Sequence, residues 1–277
     1  MEWKKLFTPV GALDADAAQD YLAGQPEGSY TLLDVRQPWE YDEDHLPGAT
    51  LIPLPELNSR LDELDRDKPA LVYCAIGGRS RVASQVLAGK GFKEVFNLSG
   101  GIKAWNSGKA VGPEDLGLDL FTGKESPEET LVVAYGLEEG LRRFYESMAP
   151  RVTSENARKL FARLSTIEVK HQDRIFSEYL RATGAEVSRE DFAKKTFSPA
   201  MEGGLTTEDY IQRYQPNIEN PAEVISLAMA IEGQALDLYQ RAADRAKTGQ
   251  SRDSLMQIAG EERSHLEQLG KLFQNVI

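Results

Sequence analysis

Two groups of residues in this 277-residue chain have the types and spacing to do chemistry. The first surrounds the single cysteine, in the run Cys74-Ala75-Ile76-Gly77-Gly78-Arg79-Ser80. Small residues behind the cysteine let the backbone curl so that several N–H groups point inward. A helix starting at the end of the run adds its partly positive N-terminus. Arg79 and Arg81 add full charges nearby. A thiol in that setting titrates low and is a nucleophile at neutral pH. The cradle Ala75, Ile76, Gly77, Gly78 and Ser80 would also hold the anion of a sulfur donor. The plain alternative is a buried strand-end cysteine with no chemistry. A cysteine-phosphatase loop fits less well, because four residues rather than five separate Cys74 from Arg79 and Tyr73, not histidine, precedes the cysteine.

The second group is built on histidines. Of the three in the chain, His171 and His265 each follow a glutamate by three residues, in Glu168-Val169-Lys170-His171 and Glu262-Arg263-Ser264-His265. On a helix such a pair shares one face and can present a carboxylate and an imidazole to one metal ion. Glu138 precedes Glu168 by 30 residues, and Glu232 precedes Glu262 by the same interval. A helix running away, turning and running back returns to the same height, since both legs rise equally per residue. Two such hairpins bring Glu138, Glu168, His171, Glu232, Glu262 and His265 to one level of a core. Four carboxylates and two imidazoles are the ligand count of a two-metal site in a bundle, and mixed oxygen and nitrogen ligation suits iron or manganese. Solvated charges on amphipathic helices are the competing reading. It is disfavoured because Ala228, Ile231, Ala235 and Leu238 put Glu232 on an apolar stripe, where an uncompensated carboxylate is costly.

The elements that position these groups divide the chain. Thr31-Leu32-Leu33-Asp34-Val35, Leu71-Val72-Tyr73-Cys74 and Val95-Phe96-Asn97-Leu98 read as buried strands, with a helix from Arg79 to Lys90. Strand alternating with helix predicts a small parallel-sheet α/β domain over 1–110. The turn-rich, acidic stretch 111–126 reads as a linker. Beyond it, helices are expected over 127–149, 153–181, 221–247 and 250–275, with a long crossover at 182–220. Two hairpins joined by such a crossover make a ferritin-like four-helix bundle over 127–277.

Composition excludes some partners. The formal charge of −12 repels phosphate backbones and anionic membranes, so neither nucleic acid nor membrane is expected as a partner. No apolar run is long enough to span a bilayer, no signal-peptide stretch follows Met1, and a lone cysteine allows no internal disulfide. The expected location is cytoplasmic.

The N-terminal half resembles the rhodanese family over most of 8–108. Asp34-Val35-Arg36, Glu40-Tyr41 and His45-Leu46-Pro47-Gly48-Ala49 are similar to its DVR…E[YF]…GH[IL]xGA signature. Leu98-Ser99-Gly100-Gly101-Ile102-Lys103-Ala104-Trp105 is similar to its LxGGxxAW ending. The resemblance implies that Cys74 forms a persulfide and that the backbone from Ala75 to Ser80 makes the anion cradle, which Arg79 closes. It also implies a small sulfur donor of the thiosulfate type and a thiol acceptor. Asp34 and Arg36 are expected to be structural. Asp44 replaces the family's usual glycine in a loop read as far from the chemistry, and His45 is read as a surface-loop residue.

The C-terminal half resembles the rubrerythrin group of the ferritin-like superfamily over roughly 127–277, on its six matching ligand positions. This implies a di-iron centre, open to manganese or zinc substitution, acting on peroxide or oxygen with an electron donor the sequence does not name. By analogy with other ferritin-like bundles a homodimer is expected. Two family features are missing: Ala235 stands where a further glutamate usually lies, and there is no cysteine-rich rubredoxin segment. Glu261 is expected to accept the second N–H of His171. The functional expectation is therefore a sulfurtransferase combined with a peroxidase-like non-haem di-iron oxidoreductase. The alternative is an iron-binding or redox-sensing bundle that regulates the rhodanese module.

Overall fold

The computed structural model describes residues 10–184, 186–195 and 204–274. The chain divides into two compact units, Met1–Glu114 and Asp115–Ile277. In the first unit the elements run β1 (Gly11–Leu13), α1 (Ala15–Ala23), β2 (Thr31–Asp34), α2 (Pro38–Glu43), β3 (Thr50–Leu51), β4 (Ala70–Tyr73), α3 (Gly78–Gly89) and β5 (Val95–Leu98). The strands form one sheet in the order β1-β5-β4-β2-β3, all pairs parallel.

Period-two alternation sorts the strand residues onto two covered faces. Leu32, Leu71, Tyr73 and Leu98 pack with α1 residues Ala18 and Leu22. Leu33, Val72, Val95 and Cys74 pack with α3 residues Ala83 and Leu87. The interior strands hold the predicted Leu, Val and Tyr runs. The two edge strands, β1 and β3, have only three and two residues and carry no comparable apolar run.

At the C-terminal end of β2, the Asp34 carboxylate accepts from Arg36 Nε at 2.9 Å and Nη2 at 2.7 Å in a buried pair. Asp44, read from the sequence as a loop residue far from the chemistry, is tied into this network. It accepts from Arg36 Nη1 at 3.2 Å and from Lys109 Nζ at 2.9 Å. A glycine there could offer neither carboxylate contact.

The second unit holds α4 (Pro127–Met148), α5 (Glu155–Thr183), α6 (Arg189–Ala193), α7 (Thr207–Tyr214), α8 (Pro221–Arg245) and α9 (Gly249–Gln274). Start signals are legible in the sequence. Ser126 accepts from the Glu129 N–H while Glu129 reaches back, with Pro127 at the first helical position. Asn220 and Pro221 open α8 in a similar way, and Gly184 ends α5 at φ 62°. The helices form two hairpins, α4 with α5 and α8 with α9, around one apolar core. The predicted crossover contains α6 and α7; Gly203 of that stretch lies outside the described residues.

The stretch 111–126, expected as a linker, is packed against the units on either side. Val111 is buried and Gly112 donates to the Asp42 carbonyl at 2.9 Å within the first unit. Leu118 and Phe121 belong to the bundle core, where Phe121 meets Tyr239 edge-on at 6.2 Å. The acidic and glycine residues around them hid these two apolar anchors. Every residue of α8 from Ile231 to Gln240 is buried.

Candidate sulfur site and candidate metal centre

Cys74 directly follows β4 and α3 begins at Gly78, so the loop between strand and helix is the four residues 74–77. Gly77 takes φ 91°, a backbone conformation glycine adopts without strain, and this turns its N–H onto Cys74 Sγ at 3.2 Å. Below the loop, the Ile102 N–H donates to the Cys74 carbonyl at 2.9 Å and the Lys103 N–H to the Ala75 carbonyl at 3.2 Å. A Cβ on Gly101, which sits at φ 60°, would collide with that Cys74 carbonyl. This explains why two motifs more than twenty residues apart belong together, since the Gly100-Gly101 turn is the floor of the cysteine loop.

Ser80 and Gly77 are buried, Ala75 and Arg79 half-buried, and Ile76 and Gly78 exposed, Ile76 to 67%. Burial pushes the Cys74 thiol up, but the Ser80 hydroxyl and the N–H groups of Ser80, Ile76 and Gly77 outweigh it. The net pKa lies below that of an ordinary cysteine. Ser80 Oγ is 3.5 Å from Sγ and donates to Asn97 Oδ1 at 2.6 Å. Asn97 is a site neighbour that motif reading missed; its one signal was a polar residue in an otherwise apolar strand.

Arg79 meets Glu40 of α2 in a two-pronged pair at 2.7 and 2.6 Å. Hydrogen bonding from Arg79 holds the Glu40 carboxyl at about 2 against its ordinary 4.5. A depressed folded-state pKa gives stability that is present above the ordinary value and is lost as pH falls through the depressed one. Glu40→Gln is therefore expected to lower stability at neutral pH and to match the natural protein near pH 2. Thermal melts from pH 2 to 7 check this, and a gap independent of pH would refute it.

His45 is not a surface residue. It is fully buried, with its ring stacked on Tyr41 at 3.7 Å and Nδ1 3.0 Å from the Tyr41 carbonyl. The His-Leu-Pro-Gly run looks loop-like, yet His45 also pairs by backbone with Ala110 as an isolated bridge.

In the bundle, the six predicted residues assemble into two groups, one per hairpin. Glu138, Glu168 and His171 form the first and Glu232, Glu262 and His265 the second. In each group the candidate ligand atoms lie within 4.8 Å of one another. His171 Nδ1 is 3.3 Å from Glu138 Oε2 and 3.0 Å from Glu168 Oε2. His265 Nδ1 is 3.1 Å from Glu262 Oε2 and 3.5 Å from Glu232 Oε2. The two imidazoles stack at 3.9 Å, nearly parallel, so the groups adjoin.

All four carboxylates are buried, and three of their oxygens, both of Glu168 and Oε2 of Glu232, have no aligned hydrogen-bond donor. Desolvation raises the Glu168 pKa well above the ordinary value, and repulsion from Glu232 and Glu138 adds to it. Burial lowers the His171 pKa, but Glu138 and Glu168 overcome it and hold the imidazole near 11. Four buried carboxylates carry the charge that two divalent cations balance. Unsatisfied oxygens aimed at one another are what ligands to such ions require. The donor set therefore fits a pair of metal ions. An opening lined by Leu164, Ile167, Leu269 and Leu272, with Arg163 and Gln268 among them, reaches Glu168, Glu232 and His265.

Glu261 does not serve His171. It pairs with Arg174, one turn along α5 from the histidine. The position corresponding to the missing glutamate, Ala235, is fully buried in the core. Among the described residues no helix is long and apolar enough to cross a membrane.

Comparison with known proteins agrees with both halves. The family model of the rhodanese-like domain matches residues 17–108, and that of rubrerythrin matches residues 129–273, just over half of the chain. The uncharacterized protein YqhL of Bacillus subtilis is 45% identical over 87 residues, 31% of this chain and 68% of that protein. The thiosulfate sulfurtransferase GlpE of Coxiella burnetii is 37% identical over 76 residues, 27% of this chain and 71% of its own length. The putative sulfur carrier protein YrkF of B. subtilis is 38% identical over 77 residues, but only 42% of its length is spanned. Among solved structures, a rhodanese-like domain protein from Staphylococcus aureus aligns with 35% of this chain and 92% of its own, at 25% identity and a TM-score of 0.33. The chain belongs to the rubrerythrin family and carries a rhodanese-like domain ahead of its rubrerythrin domain.

Proposed function

We propose that the protein is a sulfurtransferase joined to a di-iron oxidoreductase, each activity complete within its own unit. The observation that carries the reading is the presence, in one chain, of a thiol under inward-pointing N–H groups and of four buried carboxylates gathered around two imidazoles.

In the first unit, Cys74 thiolate attacks the outer sulfur of a thiosulfate-type donor. A new S–S bond forms, the donor's S–S bond breaks, and sulfite leaves with the bonding electron pair. The N–H groups of the loop hold the resulting persulfide anion. An acceptor thiolate then attacks the outer sulfur, and Cys74 leaves as thiolate. No outside oxidant or reductant is needed. Arg79 attracts the anionic donor while Glu40 fixes its direction. GlpE, named a thiosulfate sulfurtransferase, supports this choice of donor.

In the second unit, Glu138, Glu168 and His171 would hold one iron and Glu232, Glu262 and His265 the other. When bound, the metals would supply one-electron redox chemistry toward peroxide or oxygen. The four glutamates are buried away from bulk water, and the opening beside them is lined by Leu164, Ile167, Leu269 and Leu272 together with Arg163 and Gln268. Ala235, which supplies no further carboxylate, favours a second reading in which the bundle senses iron or redox state without rapid turnover.

The test is metal content and an optical spectrum of aerobically purified protein beside Glu232→Ala. About two irons per chain, with an oxo-bridged near-ultraviolet band that the variant loses, is the expected result. Zinc alone, unaffected by the substitution, would overturn the redox half. If thiosulfate-to-cyanide sulfur transfer then tracked the oxidation state of bound iron, the sensing reading would replace the oxidoreductase.

A further inference from the structure

Asn97 is a puzzle until its partner is considered. It lies on β5 opposite Val72 of β4, on the sheet face covered by α3, where its strand neighbour Val95 is core. A buried amide on that face costs free energy unless it is hydrogen-bonded. Its Oδ1 accepts from Ser80 Oγ at 2.6 Å, and the same Oγ lies 3.5 Å from Cys74 Sγ.

A hydroxyl has one proton to give. Ser80 can donate to Asn97 or to the sulfur, but not fully to both. When Cys74 is a neutral thiol, the chain S–H to Ser80 Oγ and Ser80 O–H to Asn97 satisfies every group. When the sulfur is an anion, thiolate or persulfide, the Ser80 proton is wanted at sulfur, and Asn97 Oδ1 is left without that donor. An orphaned buried acceptor is penalised.

We propose that Asn97 is a positioning residue of the sulfur site, competing with Cys74 for the Ser80 proton and so limiting how strongly the loop stabilises sulfur anion. This rests on the reading of Cys74 as the sulfur carrier. It gives the relay a purpose in transfer. A sulfur anion held too well is a weak nucleophile, whereas one held too loosely leaves poorly when the outer sulfur is passed on. Asn97 sets the balance from beneath the loop without touching donor or acceptor. The charged groups acting on Cys74 are Arg79 of α3 and, through it, Glu40 of α2, and the substitutions below leave both in place.

Cys74 is the sole cysteine, so alkylation by iodoacetamide reads its ionisation without background. The pH profile of the alkylation rate is measured for the natural protein, Asn97→Leu, Ser80→Ala and the double variant. Leu keeps the branched outline of Asn, though bulkier, and offers no acceptor. Asn97→Leu is expected to lower the thiol pKa by about half a unit, a roughly threefold higher thiolate fraction below the pKa. Ser80→Ala is expected to raise it, and the Asn97→Leu shift should vanish in the Ser80→Ala background. Should Asn97→Leu not fold, Asn97→Ala reads the same shift.

An unchanged or raised pKa on removing the amide overturns the proposal, as does an equal shift with and without the Ser80 hydroxyl. Thiosulfate-to-cyanide transfer by the natural protein is run alongside. Transfer with no Asn97 effect sinks this inference alone, whereas the predicted shifts without transfer sink the sulfurtransferase reading alone.

Discussion

Glu168→Leu will make chelator-treated protein more stable and, in the same molecule, abolish the stabilisation that added metal confers. Glu168 is buried with neither carboxylate oxygen aligned to a donor, and Glu232 and Glu138 push against its charge. Replacing a buried ionic group by an apolar one of similar volume is often neutral or stabilising, by about 1–4 kcal/mol. The gain here belongs at the low end, about 1 kcal/mol, because His171 loses a neighbour at 3.0 Å. Metal at a hundredfold its dissociation constant stabilises a folded protein by about 2.7 kcal/mol, and the variant forfeits this. Melting curves with chelator and with added ferrous or manganous ion measure both effects. A variant less stable than the natural protein in chelator would show that Glu168 is a structural carboxylate.

Cys74→Ala will reduce thiosulfate-to-cyanide transfer at least about a thousandfold, since removing a nucleophile closes the covalent route. The mass gain of one sulfur atom after incubation with thiosulfate will disappear with it. Cys74 is 1% exposed, so the substitution leaves a small void and costs on the order of 1 kcal/mol. Metal content of the bundle is expected to be unchanged, because all six candidate ligands lie in the other unit. A variant that still gains sulfur would place the carrier elsewhere, and one that also lost its metal would end the reading of two self-contained activities.

The interior strands and the four long helices were legible because their apolar periodicities are long. β2, β4 and β5 each carry four consecutive residues of strand pattern, and the paired 30-residue intervals alone put the carboxylates at one height of the core. β1 and β3 were not legible, since two or three residues cannot establish a period. His45 misled because its neighbours are turn formers, while its burial comes from Tyr41 stacking over it and from the distant Ala110 strand-like pairing. Leu118 and Phe121 were lost among glycines and acids, though each is a core residue. Asn97 and Glu40 show the harder limit. Their roles come from contacts with Ser80 and Arg79 that spacing along the chain does not disclose. Glu261 was assigned to His171 from its place beside a ligand, but Arg174 is the cation it meets.

Each hairpin of the bundle supplies three ligand candidates of its own, and the histidines of the two hairpins stack face to face. Two hairpins with the same ligand types at the same 30-residue glutamate spacing form an internal repeat. One hairpin alone would have its apolar face uncovered and only one of the two ligand groups. Because both halves of the repeat lie in one chain, each position in one hairpin can change without the other. The repeat within a single chain makes the bundle asymmetric in opportunity: a change at one histidine does not have to be matched at the other.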